Sequence, residues 1–227
     1  MCNASKICRE ELTKNEKEYN IIKRIIVEIY LIRHGECVKS SPKYYSIEKK
    51  SMNTPLTENG KNQAKKLGEK LKGIHFDKIY SSDLDRAMET SKIINSYINS
   101  LIISSKSFKE IYMGSLYLNK TWNDFPEIFE KWKLHKEDIP YPNGENGDNV
   151  WQRCKCELER INEIENNRIA IVCHGGTIRS IICGLLNISQ EIRFFFGSPP
   201  EFCSISKIVK NDNQYFLHIF NDYNHIL

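Results

Sequence analysis

The sequence predicts an α/β protein with a mostly parallel central sheet, helices on both faces and a small cap insertion. Three observations predict it. The run from Ile25 to Ile32 is β-branched and nearly all apolar, as suits a strand buried on both faces of a parallel sheet. Short apolar strands then alternate with segments of helical period. The chain ends in two further strand-like runs, giving a strand-rich terminus.

Each element has its own signal. Residues 1–20 are polar, rich in Lys and Glu, and without a firm apolar period. They are read as a polar N-terminal extension to one domain spanning 21–227. Thr57-Glu58-Asn59-Gly60 opens a helix with Ala64, Leu67 and Leu71 on one face, and Gly73 lies just past its end. A strand at Lys78 to Tyr80 leads into a helix carrying Leu84, Met88, Ser91, Ile94 and Ile98. A further strand is expected around Leu101 to Ile103. The stretch from Glu110 to Asp148 breaks this rhythm. It is rich in aromatics, ends in a Pro/Gly/Asn loop, and is read as a cap insertion at about 110–148. Beyond it, Val150, Cys154, Leu158, Ile161 and Ile164 mark a helix, Arg168 to Cys173 a strand and Gly175 to Leu186 a helix. Cys203 to Val209 and Gln214 to Asn221 read as a hairpin turning at Asn211-Asp212-Asn213.

Bulk properties bound the function. A chain of 227 residues with 40% hydrophobic content makes one domain with a real core. The net charge of +4 fits anionic small substrates, and the scattered basic residues form no nucleic-acid stripe. No apolar run approaches the ~20 residues of a membrane span, and Met1 to Asn20 lacks the apolar stretch of a signal peptide. The expectation is a cytoplasmic protein acting on small molecules, with no nucleic-acid or membrane partner; a homo-oligomer is left open. The eight cysteines include no CxxC pair, so structural zinc is not expected and free thiols are the default. Cys37 and Cys173, beside the chemically suggestive residues, read as small apolar filler.

The first buried strand ends in Arg33-His34-Gly35-Glu36. In open α/β sheets, ligands bind at the carboxyl ends of strands. A second buried strand ends in Cys173-His174-Gly175-Gly176-Thr177. One histidine at such a place is more often structural than functional. Two strands ending in His-Gly, with Arg33 and Arg86 in addition, point to an anion site.

Four motifs in order resemble the histidine phosphatase (phosphoglycerate mutase-like) superfamily: Arg33-His34-Gly35-Glu36, Thr54-Pro55-Leu56-Thr57-Glu58-Asn59-Gly60, Ser81-Ser82-Asp83-Leu84-Asp85-Arg86-Ala87 and His174-Gly175-Gly176. The resemblance runs from about Glu28 to about Ile219. It implies a phosphate pocket of two arginines and two histidines, and a covalent phosphohistidine. On this reading Arg33 and Arg86 grip the phosphoryl oxygens as bidentate forks. His34 attacks phosphorus with a neutral ring whose other nitrogen is held by a backbone carbonyl. His174, partly cationic, stabilises developing charge. Gly175 lets the backbone approach the oxyanion, and the helix that starts there adds its dipole. No metal and no cofactor are called for, and the expected ligand is a small-molecule phosphate ester.

The leaving oxygen also needs a proton. One branch of the superfamily takes it from an Asp directly after the second histidine, where this chain has Gly175. The other uses a Glu entering the cap with a glycine four residues on, and Glu110 with Gly114 resembles it. A pocket carboxyl of raised pKa would act first as acid and then as base. Glu36 is the next candidate. An Asn is usual six residues after the nucleophile; here Ser40 stands there, a weaker phosphate contact. The usual Gly-Glu-Ser before the late helix appears as Gly144-Glu145-Asn146. The segment Lys39 to Met52 carries Lys39, Lys43, Lys49 and Lys50, either a solvated face or a rim attracting anionic substrates.

His174-Gly175-Gly176 and Lys109-Glu110-Ile111 resemble the broad phosphatases and alpha-ribazole phosphatases more than the cofactor-dependent mutases, which typically have His-Gly-Asn and Asn-Glu-Arg. A phosphomonoester hydrolase is therefore the first reading. The alternatives are a phosphoglycerate mutase-type phosphotransferase and, third, an inactive phospho-binding scaffold. The cap aromatics fit either a ring-bearing substrate or the cap's own core.

Overall fold

The computed structural model describes residues 26–39, 44–46, 49–162 and 167–227. The N-terminal extension, Ser40 and Lys43 lie outside the described residues. The sheet has six strands: β1 (Ile26–Arg33), β4 (Lys78–Ser82), β5 (Leu101–Ser105), β6 (Arg168–Cys173), β7 (Ile205–Asn211) and β8 (Gln214–Asp222), in the order β5-β4-β6-β1-β7-β8. β5, β4, β6 and β1 pair in parallel, whereas β7 and β8 join antiparallel. This is the mostly parallel α/β sheet the sequence predicts.

Both faces of β1 are covered, which explains its unbroken apolar run. Val27, Ile29 and Leu31 face a core shared with α4 (Gly147–Asn162) and α5 (Gly175–Leu185). Tyr30 and Ile32 face the other way, into a core shared with α1 (Glu58–Leu71) and α2 (Asp85–Ile98). Each buried branched side chain here contributes roughly 1.5–3 kcal/mol relative to exposure.

The helix signals act as expected. Thr57 is the N-cap of α1 and its hydroxyl accepts from the Gly60 N–H at 3.0 Å, while Gly73 follows the end with φ +83°. The buried strip of α2 departs from the apolar face read in the sequence. Ser91 and Ile94 are buried as read, but Arg86, Ala87 and Thr90 are buried too and Met88 and Ile98 only partly, because the first turns of the helix face a polar site.

Between β5 and α4 the chain forms short 3-10 turns and one helix, α3 (Pro126–Trp132). Its aromatics pack on one another: Trp122 lies 5.0 Å from Trp132 and 5.2 Å from Phe129, and Trp132 5.5 Å from Tyr141, centroid to centroid. A short hairpin not foreseen in the sequence, β2 (Tyr45–Ser46) with β3 (Ser51–Met52), precedes the proline-containing turn into α1. Among the described residues, no helix is long and apolar enough to cross a membrane.

Candidate active site

Sheet register brings the three motif-bearing strand ends together. Arg33 is level with Cys173 across β1 and β6, and Val172 is level with Ser81 across β6 and β4. The residues that follow these pairs are His34, His174 and Ser82. The His34 N–H continues the ladder, donating to the Cys173 carbonyl at 3.0 Å. The two imidazoles consequently lie with ring centroids 5.0 Å apart at the carboxyl edge of the sheet.

His34 is 4% exposed and its ring is held at both nitrogens. Nδ1 lies 2.7 Å from the Gly35 carbonyl, and Nε2 lies 3.1 Å from Nε of Arg86. A carbonyl only accepts and a guanidinium only donates, so Nδ1 carries the proton and Nε2 the lone pair. Burial, then the Arg86 and Arg33 charges, hold the ring well below the usual histidine pKa, outweighing the carbonyl contact. Nε2 of His34 is thus an unprotonated nitrogen facing a guanidinium.

His174 is fully buried, with Nε2 2.9 Å from the Ser82 hydroxyl. Its Nδ1 has no hydrogen-bond partner among the described residues, and neither has Nε of Arg33. Burial, followed by Arg86, holds this ring well below the usual pKa as well. Without a bound anion His174 is thus biased toward its neutral form, whereas the partly cationic ring expected from the sequence is that of the phosphate-bound site. The cause is burial first and the Arg86 charge second. An added phosphoryl dianion would raise its pKa.

Both arginines are braced. Arg86 donates from Nη1 to the Met52 carbonyl at 2.5 Å, which ties the β2–β3 hairpin to the site. Arg33 donates to the Pro200 carbonyl at 2.5 Å and lies 4.0 Å from the Phe202 ring centroid. Thr90 joins the two halves of the site: it accepts from the Gly35 N–H at 3.0 Å and donates to the Arg86 carbonyl at 2.7 Å.

Two glycine contacts explain the motifs. A Cβ on Gly60 would lie 1.9 Å from the Glu36 carbonyl oxygen, so the α1 N-terminus can seat against the His34 loop only without a side chain there. A Cβ on Gly176 would lie 2.7 Å from Oε1 of Glu110. Glycine at that position admits the carboxylate to the N-terminus of α5. Glu110 accepts there from the Ile111 N–H at 2.9 Å and the Gly176 N–H at 3.4 Å, while the nearby Thr177 hydroxyl donates to the Lys109 carbonyl at 2.6 Å. Gly175 begins the same helix, its Cβ position 3.8 Å from Nε of Arg33.

The structure thus brings together His34, His174, Arg33, Arg86, Gly175 and Glu110. Ser40 lies outside the described residues. Glu36, the second candidate acid, accepts from the Thr57 hydroxyl at 2.6 Å and the Asn59 amide at 3.0 Å. Those bonds hold it ionised, below the usual carboxylate range, and occupy it in fixing the loop. Cys173 is fully buried, and burial pushes its thiol well above the usual range. No group of three or more His, Cys, Asp or Glu that could hold a metal ion occurs among the described residues.

Sequence reasoning passed over Ser82, Thr90 and Phe202. Ser82 stood inside a quoted motif without a role, and Thr90 lies one turn after Arg86, a spacing that could have found it. Phe202 carries no local signal.

Beside Glu110 opens a cavity of about 580 Å³, walled by the β2–β3 turn, the residues after β5 and the loop before α4.

Comparison with known proteins accords with this geometry. Residues 29–223 match the model of the histidine phosphatase superfamily, branch 1. A phosphoglycerate mutase-like protein 4 of Arabidopsis thaliana is 31% identical over 164 residues, 68% of this chain and 69% of that protein. Phosphoserine phosphatase 1 of Hydrogenobacter thermophilus is 28% identical over 176 residues, 76% of this chain and 82% of that one. A putative alpha-ribazole-5'-P phosphatase structure from Escherichia coli superposes with a TM-score of 0.72 at 25% identity, covering 87% of this chain and 97% of that chain. The relatives bear the names of both phosphatases and mutases, and the chain belongs to the histidine phosphatase superfamily.

Proposed function

We propose that this protein is a metal-independent phosphomonoester hydrolase, acting on a small phosphorylated metabolite through a phosphohistidine on His34. The observation that carries the proposal is the state of His34: a buried, neutral ring with Nδ1 on a carbonyl and the lone pair of Nε2 directed at Arg86. A phosphoryl group drawn in by Arg33 and Arg86 would meet that lone pair.

In the first step Nε2 attacks phosphorus, the bond to the ester oxygen breaks, and Glu110 gives the leaving oxygen a proton. In the second step Glu110 takes a proton from water, whose oxygen attacks the phosphohistidine. The N–P bond breaks and inorganic phosphate leaves. Arg33, Arg86 and His174 bear the charge on the equatorial oxygens, the work a metal ion does in other phosphoryl-transfer sites. The N-terminus of α5 at Gly175 adds its dipole. Residues 110–148 form the cap over the leaving-group side.

Hydrolase is preferred to mutase because Gly176 and the Lys109-Glu110-Ile111 setting differ from the usual mutase pattern. Glu110 also borders a cavity of about 580 Å³, room enough for the attacking water once the leaving group has gone. The test is a phosphomonoester panel with and without a bisphosphoglycerate primer. Phosphate release that needs no primer supports the proposal. Primer-dependent interconversion of phosphoglycerates without phosphate release would make the protein a mutase.

A further inference from the structure

Resting on the phosphatase reading, the cavity beside Glu110 indicates what the leaving group carries. Glu110 is the proposed proton donor to the leaving oxygen, so whatever is attached to that oxygen extends into the space that Glu110 borders. Four lysines line this space. Lys49 and Lys50 come from the β2–β3 turn, Lys106 and Lys109 from the residues after β5. The hairpin is pinned across the opening by the Tyr45 and Tyr112 hydroxyls, 2.9 Å apart. Burial, then that bond, pushes Tyr45 up to about 12, so it adds no negative charge.

The lining is not neutralised from within. Arg153 and Glu145 pair with each other at 3.0 Å and cancel. Lys109 has Asp83 at 3.6 Å, and Lys49 reaches Asp85 only at 4.0 Å. Lys50 and Lys106 have no carboxylate partner among the described residues. Like charges gathered in one concavity repel one another, and a bound anion relieves that repulsion. Trp122, Phe129, Trp132 and Tyr141 are packed on one another, which leaves Tyr45 and Tyr112 as the aromatics on the cavity wall, their hydroxyls paired with each other.

We infer that the cavity is a subsite for a second anionic group, so that the substrate is a phosphomonoester whose leaving portion bears a carboxylate or another phosphate, held by Lys50 and Lys106. Lysine suits this task as a point charge that tolerates either anion.

The test compares kcat/KM within two pairs of esters that differ chiefly in one anionic group on the leaving portion. One pair is 3-phosphoglycerate against glycerol 3-phosphate, and the other is fructose 1,6-bisphosphate against fructose 6-phosphate. The inference predicts that the anionic member of at least one pair is favoured about tenfold, and less so at high salt. The pair that responds tells carboxylate from phosphate. In a Lys50→Met/Lys106→Met double variant the ratio should fall to near unity, whereas Lys50→Arg/Lys106→Arg should keep it. Equal treatment of both pairs by the wild type, or an undiminished ratio in the Met variant, overturns the inference. If no ester is hydrolysed, the phosphatase reading fails separately. Calorimetric binding of the same pairs then decides the subsite: an anionic preference lost in the Met variant supports it, and equal binding overturns it.

Discussion

Nε of Arg86 donates to Nε2 of His34 across 3.1 Å, while the Gly35 carbonyl holds Nδ1 of the same ring at 2.7 Å. One arginine therefore fixes the tautomer of His34 and, on the proposed mechanism, stands where the phosphoryl group arrives. The arrangement keeps Nε2 free of a proton.

A consequence for stability follows from that neutral ring. An unfolded histidine titrates near ~6.5, whereas folded His34 binds its proton only well below this. Between those values the unfolded state holds more protons, so stability falls as pH drops below about 6.5 and is flat above it. His174 acts in the same sense. Each such histidine gives a slope of up to ~1.4 kcal/mol per pH unit in that window. Urea unfolding between pH 7 and pH 5, without phosphate, should show a slope shallower by about that amount in His34→Asn than in the wild type. Equal slopes would mean that folded His34 titrates normally.

Glu110 reaches its place over the N-terminus of α5 because residue 176 has no side chain. Glu110→Gln should slow alkyl phosphates by roughly 10²–10³, since their alkoxide must be protonated, and aryl phosphates far less. Steady-state kcat on the two ester types is the measurement. Equal losses would assign Glu110 a structural role.

Thr90 accepts from Gly35 and donates to the Arg86 carbonyl, so Thr90→Val leaves a buried N–H without its acceptor. Unfolding free energy should fall by about 1–3 kcal/mol. Because both His34 and Arg86 depend on this hydroxyl, kcat should fall too, and Thr90→Ser should restore it. A Thr90→Val enzyme with full kcat would show that the hydroxyl serves folding alone.

Two guanidinium groups supply the positive charge at the site, and His174 can add to it once a phosphoryl dianion raises its pKa. Activity should survive EDTA, and vanadate should inhibit at low concentration as a mimic of five-coordinate phosphorus. Inhibition by EDTA that Mg²⁺ or Zn²⁺ reverses would contradict the metal-independent mechanism.

Much of the fold was legible because its signals are local. β1 is buried on both faces and so reads as one β-branched run, and Thr57 and Gly73 mark the ends of α1 by their own capping chemistry. The β2–β3 hairpin was not legible, since two-residue strands carry no period. The site's reactive side chains were visible as His-Gly strand ends and flanking arginines. Their supports were not, because each joins distant segments: Ser82 meets His174 across 92 positions, and Gly35 meets Thr90 across 55. The lowered pKa of His174 in the ligand-free protein was not legible for a related reason. Its pKa is set by burial under Arg86, which no stretch of sequence displays.

The covalent role of His34 is tested most directly by trapping the intermediate. Enzyme mixed with a radiolabelled phosphomonoester, quenched in denaturant at alkaline pH and digested, should yield one labelled peptide containing His34, with an acid-labile, base-stable phosphate. His34→Ala should give neither label nor turnover, while His174→Ala, losing only electrostatic help worth roughly 10²–10³ in rate, should still turn over slowly. Label on Cys37 or Cys173, or turnover that persists in His34→Ala, would contradict the mechanism.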